Sequence, residues 1–190
     1  MSSDVEIANR ALQLVGASRI VSLADDSVSA RAVNNCYAVV RRRELRMHPW
    51  NFSIKRAALA ADATDPAFGP ANQYPLPSDF LCLRARDPLD ELNTKDWKIE
   101  GRSILTDDSA PLNIRYTYDV ADENQMDGAF REVLAHAVAL AICEELTQSN
   151  TKKDGLRVDY DLLIREAKRT NAIENVPQEP VEDSWITARA

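Results

Sequence analysis

The residues with the most chemical potential in this sequence are four arginines near the end of a predicted helix: Arg41, Arg42, Arg43 and Arg46. They can contact nucleic-acid phosphates, pair through their planar guanidinium groups with acids of a neighbouring subunit, or face solvent at the negative end of the helix dipole. The formal net charge of -7 makes acids on a neighbouring subunit plentiful, which favours pairing over phosphate contact. All three alternatives stay open, with phosphate contact the least favoured, and we place the four arginines at a subunit interface as a hypothesis.

Neither histidine is expected to be catalytic. Glu132 precedes His136 by one helical turn and could orient it as a general base, but the sequence shows no nucleophile with its own base. We interpret His136 as a core or interface histidine. His48, which precedes Pro49, is interpreted as a helix-end residue that interacts with the terminal carbonyls.

Three pairs of adjacent acids could in principle be metal ligands or glycosidase carboxylates: Asp25-Asp26, Asp107-Asp108 and Glu144-Glu145. A glycoside hydrolase needs two carboxyl groups at a set separation across a cleft, and adjacency in the chain does not provide that. We interpret the pairs as solvated surface.

The glycines and cysteines argue against a bound cofactor. None of the five glycines has the spacing of a phosphate-binding loop. The three cysteines, Cys36, Cys82 and Cys143, lie far apart, form no CxxC pair and are interpreted as free thiols. Cysteine and histidine never cluster at the spacing of zinc ligands. We therefore predict no catalytic residue, no cofactor and no metal.

The element that must organise the rest is a helix predicted over Met126–Leu146. Its stretch Ala137–Cys143 reads AVALAIC, without a polar residue. A helix that is apolar on all sides has no face for water and belongs in the centre of a domain. Arg131 and Glu132 interrupt it too early for a membrane span, which takes roughly 20 mostly apolar residues.

Three further helices are predicted around this core helix. The first begins at Ser3 or Asp4 and ends at Gly16, and the second runs from about Ser27 to His48. The last runs from about Leu156 to Ala172, after a polar turn at Ser149–Gly155. The inner face of the second helix is expected to contain Val28, Ala32, Cys36, Val39 and Val40.

Strands are predicted between the second helix and the core helix. Trp50, Phe52 and Ile54 alternate with polar residues, which is the period of a half-buried strand, so we expect Trp50 and Phe52 in the core of a β region. Ala57–Ala71 is predicted to be a surface loop. Further strands are predicted at Phe80–Ala85, Trp97–Glu100, Ser103–Thr106 and Leu112–Tyr118, the middle two forming a hairpin.

The predicted fold class is mainly α: an antiparallel helical bundle at 1–49 and 119–173, a small antiparallel β insertion at 50–118, and an extended C-terminal arm at 174–190. Pro177 and Pro180 block helix continuation in the arm, and its acids keep it in water, so we expect it to be disordered in the free protein. Trp185 and Ile186 can fill a pocket on another chain.

Several segments, taken in their order along the chain, resemble one protein family. The first half contains ANRALQLVGAS and an arginine-rich helix ending in HPWNF, and the second contains YPLPSDFLCL, WKIEGRSILTDDSAPLNIRYTYDV and LLIREAKRTNA. Together they are similar to tail tubular protein A, the head-to-tail adaptor of short-tailed bacteriophages, over roughly Asp4 to Ala172. The most specific parts are Pro49–Phe52, Leu76–Phe80 and Ile99–Leu105.

The resemblance implies a structural protein of the virion, made in the bacterial host cytoplasm and not associated with a membrane. It implies a homo-oligomeric ring, expected to be a dodecamer, between the portal protein and the tail nozzle protein, with double-stranded DNA passing through. Trp185, Ile186 and Arg189 would then form a portal-docking arm. Two alternatives stay open: a DNA-binding regulator that uses the arginine-rich helix, and a cell-wall hydrolase that acts as the phage enters its host.

Trp185→Ala should leave folding and the thermal midpoint unchanged but weaken attachment to portal-bearing phage heads. Aromatic anchors commonly carry more than about 2 kcal/mol of binding energy, while their neighbours carry little. Co-sedimentation with purified heads measures attachment, and thermal unfolding is the control. Normal attachment by this variant, or by a chain truncated after Asn175, would show that the arm is not the anchor.

Overall fold

The computed structural model of the protein describes residues 3–85 and 97–174. The helices in these ranges are α1 (Asp4–Val15), α2 (Val28–Met47), α3 (Gly128–Thr147) and α4 (Asn150–Ile173). The strands are β1 (Ile54–Leu59), β2 (Asn72–Pro75), β3 (Phe80–Ala85), β4 (Trp97–Glu100), β5 (Ser103–Thr106) and β6 (Leu112–Tyr118). Two short 3-10 helices, Asn51–Ser53 and Glu123–Gln125, precede β1 and α3.

Short polar side chains set the start of every α-helix in the described ranges. The side chains of Ser3, Ser27, Asp127 and Ser149 each accept a hydrogen bond from a backbone N–H of the first turn. Each bond satisfies a donor that would otherwise have no intrahelical partner. Gly16 ends α1 in the left-handed conformation, with φ 74°.

The centre of the molecule is α3, as its all-apolar sequence predicts. The side chains from Val133 to Ala139 are all buried, and α1, α2 and α4 each pack against the helix. We call this body of four helices the helical lobe. Among the described residues, none of the helices combines the length and apolar character needed to cross a membrane.

The predicted inner face of α2 is partly wrong. Val28 and Val39 are 60% and 66% exposed, whereas Ala32 and Val40 are buried as expected. The buried side of α2 also carries Tyr37 and Glu44, because polar groups at the tips of these side chains find partners inside the protein. A prediction based on apolar residues alone therefore places the buried face of α2 partly on the wrong side of the helix.

The β region consists of two three-stranded antiparallel sheets, which we call the β lobe. The first sheet has the order β1-β6-β3 and the second β2-β5-β4. They enclose a core of their own, separate from that of the helical lobe. Its buried members are Leu59, Tyr74, Ile104, Leu112, Ile114 and Tyr116.

The fold is therefore a mixed α/β fold, and the prediction of a mainly α protein with a small β insertion is wrong. Of the described residues, 51% are helical and 19% are in strands. The error arose at two strands. β1 runs through Ala57–Leu59, at the start of the alanine-rich stretch with Pro66, Gly69 and Pro70 that predicts a surface loop. β2 is only four residues long and ends in Pro75.

Trp50 and Phe52 belong to the helical core and not to the core of the β lobe. Residues 51–53 form a 3-10 turn instead of a strand. This turn brings both rings against α3, where the Trp50 and Phe52 rings each lie 5.0 Å from the ring of Phe130. The indole Nε1 of Trp50 donates to the carbonyl of Glu44 at 3.1 Å, so the buried donor is satisfied.

The segment predicted as a polar turn, Ser149–Gly155, supplies the cap and the first turns of α4. Its lysines explain why a polar sequence is helical here. Lys152 Nζ donates to the carbonyl of Val15 at the end of α1, and Lys153 Nζ lies 2.7 Å from Glu144 of α3. These contacts fasten the start of α4 to two other helices.

Phe130→Ala should lower the free energy of unfolding by about 3–5 kcal/mol, because it leaves a cavity beside Trp50 and Phe52. Phe68→Ala is the matched control, since Phe68 is 89% exposed while Phe130 is fully buried. The control should change stability by less than about 0.5 kcal/mol. Urea unfolding, at a concentration where the protein is monomeric, measures both. Similar losses in the two variants would contradict the assigned core.

Candidate functional site

The arginines at the end of α2 meet the β lobe through Asp119, which directly follows β6. Arg41 donates to Asp119 Oδ1 from Nη2 at 2.9 Å and from Nε at 3.1 Å, and Arg42 donates to Oδ2 from Nε at 2.8 Å. The side chains of Arg41 and Asp119 are only 11% and 17% exposed. One carboxylate thus holds two guanidinium groups, and its pair with Arg41 is largely withdrawn from water.

Arg43 takes part in a second buried contact, centred on Glu44. The Glu44 side chain is fully buried; its Oε1 accepts from Arg43 Nη2 at 2.8 Å, and its Oε2 accepts from the Tyr160 hydroxyl at 2.7 Å. Burial raises the pKa of Tyr160, and the hydrogen bond to Glu44 raises it further. The phenol therefore stays protonated as a donor and ties α4 to α2.

Arg46 completes the group by binding the backbone of β3. Its guanidinium donates to the carbonyl of Leu81. In return, Arg84 of β3 donates to the carbonyl of Arg46 at 3.0 Å, and through Nε to Thr117 Oγ1 at 2.7 Å. All four arginines of the interface hypothesis thus have partners in their own chain. Their contact with a neighbouring subunit stays a prediction, for which Arg42, Arg43 and Arg46 are exposed whereas Arg41 is buried.

A third cluster lies beside Asp119, around Asp79. Its carboxylate accepts from Lys55 Nζ at 2.7 Å and from the Tyr116 hydroxyl at 3.0 Å. Burial on its own would raise the pKa of Asp79, but the hydrogen bonds from Lys55 and Tyr116 outweigh it and lower the pKa overall. Burial and the Asp79 carboxylate raise the pKa of Tyr116 to about 12. The cluster is therefore an ionised Asp79 held by a protonated phenol and a lysine.

These clusters border an open cleft of ≈ 440 Å³ between the two lobes. Its lining includes Arg42, Asp79, Phe80, Arg102 and Asp119. The two arginines and the two aspartates balance in charge, and Arg102 donates to the carbonyl of Pro77 at 2.6 Å. The Arg42–Asp119 ion pair at this cleft joins the two lobes, whereas the Lys55–Asp79 and Arg102–Pro77 contacts lie within the β lobe.

The two histidines are also engaged in structural contacts. His136 is buried, and its Nδ1 lies 2.9 Å from the carbonyl of Glu132, which agrees with its interpretation as a core histidine. The Glu132 carboxylate binds Arg10 at 2.6 Å. His48 contacts the amide of Asn171 at 3.2 Å rather than the helix-end carbonyls, and burial lowers its pKa.

The paired acids lie at turns and in exposed ion pairs. Asp25 accepts from the backbone N–H groups of Val21 and Ser22, and Asp107 accepts from that of Ala71. In the parts of the chain that the structure describes, no three residues among His, Cys, Asp and Glu gather into a group that could hold a metal ion. Cys36, Cys82 and Cys143 are free thiols, as predicted.

The sequence interpretation missed the acids that partner the arginines. Glu44 did carry a signal, because it lies seven residues after Tyr37 and four after Val40, on one face of the helix. Asp119 carried none, since an acid that follows a strand is an ordinary surface residue. The predicted arm residues Trp185, Ile186 and Arg189 lie outside the described residues.

No protein-family model matches the sequence of this chain, and no curated protein matches it. The resemblance to the head-to-tail adaptors stays a prediction, and the three motifs on which it is based lie in described parts of the structure.

The three motifs lie at structurally demanding places. Pro49–Phe52 joins α2 to β1, and the Asn51 backbone N–H donates to the Asn171 side chain at 2.8 Å. Leu76–Phe80 contains Asp79, whose carbonyl accepts from the Asp119 N–H at 2.8 Å. Ile99–Leu105 is the hairpin of β4 and β5. Pro49–Phe52 therefore links the helical lobe to the β lobe, and Leu76–Phe80 lies beside Asp119, through which the arginines of α2 contact the β lobe.

Asp119→Asn should lower the free energy of unfolding by roughly 3 kcal/mol, because it leaves the buried Arg41 without a counter-charge. Asp26→Asn is the matched control, since the Asp26–Arg31 pair is also short, at 2.7 Å, but is exposed. The control should cost less than about 1 kcal/mol. Urea unfolding of both variants measures the difference, and equal effects would show that the Asp119 contact does not stabilise the joint.

Proposed function

We propose that this protein is a ring-forming head-to-tail adaptor in the neck of a short-tailed bacteriophage. In this role it is a virion protein made in the host cytoplasm, and it has no enzymatic activity. Copies of the chain form a ring, a dodecamer by the resemblance, between the portal protein and the tail nozzle protein. Double-stranded DNA passes through the ring without sequence-specific contacts, and the arm with Trp185, Ile186 and Arg189 docks on the portal.

The observation that supports the proposal is that Pro49–Phe52 and Leu76–Phe80, two of the three motifs that resemble the adaptors, lie at or beside the joint between the lobes. Head-to-tail contacts close into a ring only if each subunit presents its two surfaces at a fixed angle. An adaptor must also hold its portal-facing and nozzle-facing surfaces in a fixed relation to those contacts, and this relation depends on how the β lobe sits on the helical lobe. Asn51, Asp79 and Asp119 fix it through contacts that cross the joint or flank it.

The charge distribution supports passage of DNA in preference to tight binding. Lysine and arginine contacts to phosphates provide most of the non-specific affinity for DNA. The arginines at the end of α2 are paired with Asp119, Glu44 and a backbone carbonyl of the same chain. We therefore expect a channel wall that is mainly acidic or neutral, in keeping with the net charge of -7.

Assembly on purified portal protein tests the proposal. Native mass spectrometry of the chain alone and with portal should show a ring, expected to hold twelve copies of the 21.2 kDa subunit, bound to the portal. The physical reason is that the portal templates the closure of weak head-to-tail contacts. A chain that stays monomeric with portal over a wide concentration range would contradict the adaptor function.

Two further measurements separate the alternatives. Tight binding of the isolated chain to duplex DNA, with a steep salt dependence, would instead support a DNA-binding regulator. A cell-wall hydrolase would show activity that disappears on changing one carboxylate, for example Glu132→Gln. The adaptor function predicts weak DNA binding and no such activity.

A further inference from the structure

On the inner face of the second sheet, two apolar side chains of β4 lie outside the buried core of the β lobe. Ile99 of β4 pairs with Ile104 of β5, and Trp97 pairs with Thr106, so each pair lies on the same face. Ile104 and Thr106 are fully buried. Trp97 and Ile99, however, are 43% and 41% exposed, because they lie at the edge of the covered area. This leaves two large apolar side chains side by side on one strand.

β4 is also an edge strand in the described part of the sheet. The order β2-β5-β4 gives it one neighbour, β5, and no other described strand pairs with its outer side. An edge strand with apolar side chains readily accepts another chain. We call Trp97, Ile99 and the outer side of β4 the β4 edge.

The opposite edge of the same sheet bears a different feature. The loop at 60–71 leads into β2, and it carries Phe68, which is 89% exposed. Gly69, with φ 94°, follows in a backbone conformation that suits glycine and turns the chain after the phenylalanine. The loop thus presents a single aromatic ring outward, and we call it the Phe68 loop.

The two edges also complement each other in charge. The Phe68 loop contains Asp62 and Asp65 and no basic residue. The β4 edge and its turn contain Lys98 and Arg102 against one acid, Glu100. The Phe68 loop is therefore acidic, and the β4 edge with its turn has one more basic than acidic residue. Two such surfaces on different copies attract each other.

We propose that the Phe68 loop of one copy docks on the β4 edge of the next copy. The contact joins two different surfaces, so it is head-to-tail and can repeat around a ring. That these contacts close into a ring rests on the adaptor function proposed above. Phe68 inserts beside Trp97 and Ile99, and Asp62 and Asp65 lie near Lys98.

The contact has the form of an interaction hot spot. An aromatic side chain that becomes fully desolvated in a pocket commonly dominates an interface. Phe68 loses little freedom on docking, since a phenylalanine has only two side-chain torsions. Phe68→Ala should therefore weaken self-association at least about tenfold, which corresponds to losing roughly 1.4 kcal/mol.

Cross-linking between separately purified variants tests the contact. Ala67→Cys and Glu100→Cys are made in a Cys36→Ser, Cys82→Ser background, in which the remaining Cys143 is buried. Both positions are exposed, and the two changes leave Phe68, Trp97 and Ile99 in place. Under mild oxidation the mixture of the two variants should give a disulfide-linked dimer, and neither variant alone should do so. Cross-linking of Ala67→Cys with itself would show a symmetric contact and overturn the inference. No cross-link in the mixture would overturn it as well.

Sedimentation equilibrium with Phe68→Ala provides the second measurement, and Val21→Ala is the control. Val21 is also 89% exposed but lies in the α1–α2 connection, so its loss should leave association unchanged. Rings that form without the cross-link, and equally well with Phe68→Ala, would refute this contact while leaving the adaptor function standing. Cross-linked chains that never close on a portal would support the contact and refute the adaptor function.

Discussion

The burial of α3 is the constraint on which the rest of the structure depends. A helix without a polar face has to be covered on all sides, and α1, α2 and α4 provide that cover. Each fully buried side chain such as Leu134, Val138 or Ile142 contributes about 1.5–3 kcal/mol relative to exposure. The four helices are therefore held together by the hydrophobic effect, which is strong but does not by itself fix their orientations.

The relative orientation of the helices and the β lobe is set by polar side chains that are buried along with α2. Because α2 covers α3, its Tyr37, Arg41 and Glu44 are withdrawn from water and need partners. The partners come from three places: Glu123 before α3, Asp119 after β6, and Tyr160 of α4. Burial and the nearby Glu123 carboxylate raise the pKa of Tyr37, so it remains a donor. Each bond is directional, and together they specify one arrangement of α2, α4 and the β lobe.

The parts of the fold that could be predicted are those governed by local chemistry. The caps at Ser3, Ser27 and Asp127, the all-apolar α3 and the β4–β5 hairpin follow from neighbouring residues. The face of α2 and the place of Trp50 could not be predicted, because both depend on partners distant in the sequence. For the same reason the arginines were recognised as special while Asp119, 78 residues from Arg41, was not.

The pairing of these charges within the subunit also limits what remains for contact with other molecules. Arg41 is engaged at the joint between the lobes and Glu44 in the contact between α2 and α4. Several large apolar side chains remain exposed: Val39, Val158 and Leu162 on the helices, and Phe68, Trp97 and Ile99 on the β lobe. Contacts made by such residues depend on shape more than on salt. They are useful in a repeated assembly only if the subunit is rigid, because an angular error at each joint would accumulate around a closed series. The buried Arg41–Asp119 pair contributes to that rigidity. Desolvation of the two charges offsets much of their attraction, so the main effect of the pair is to fix how the lobes are arranged.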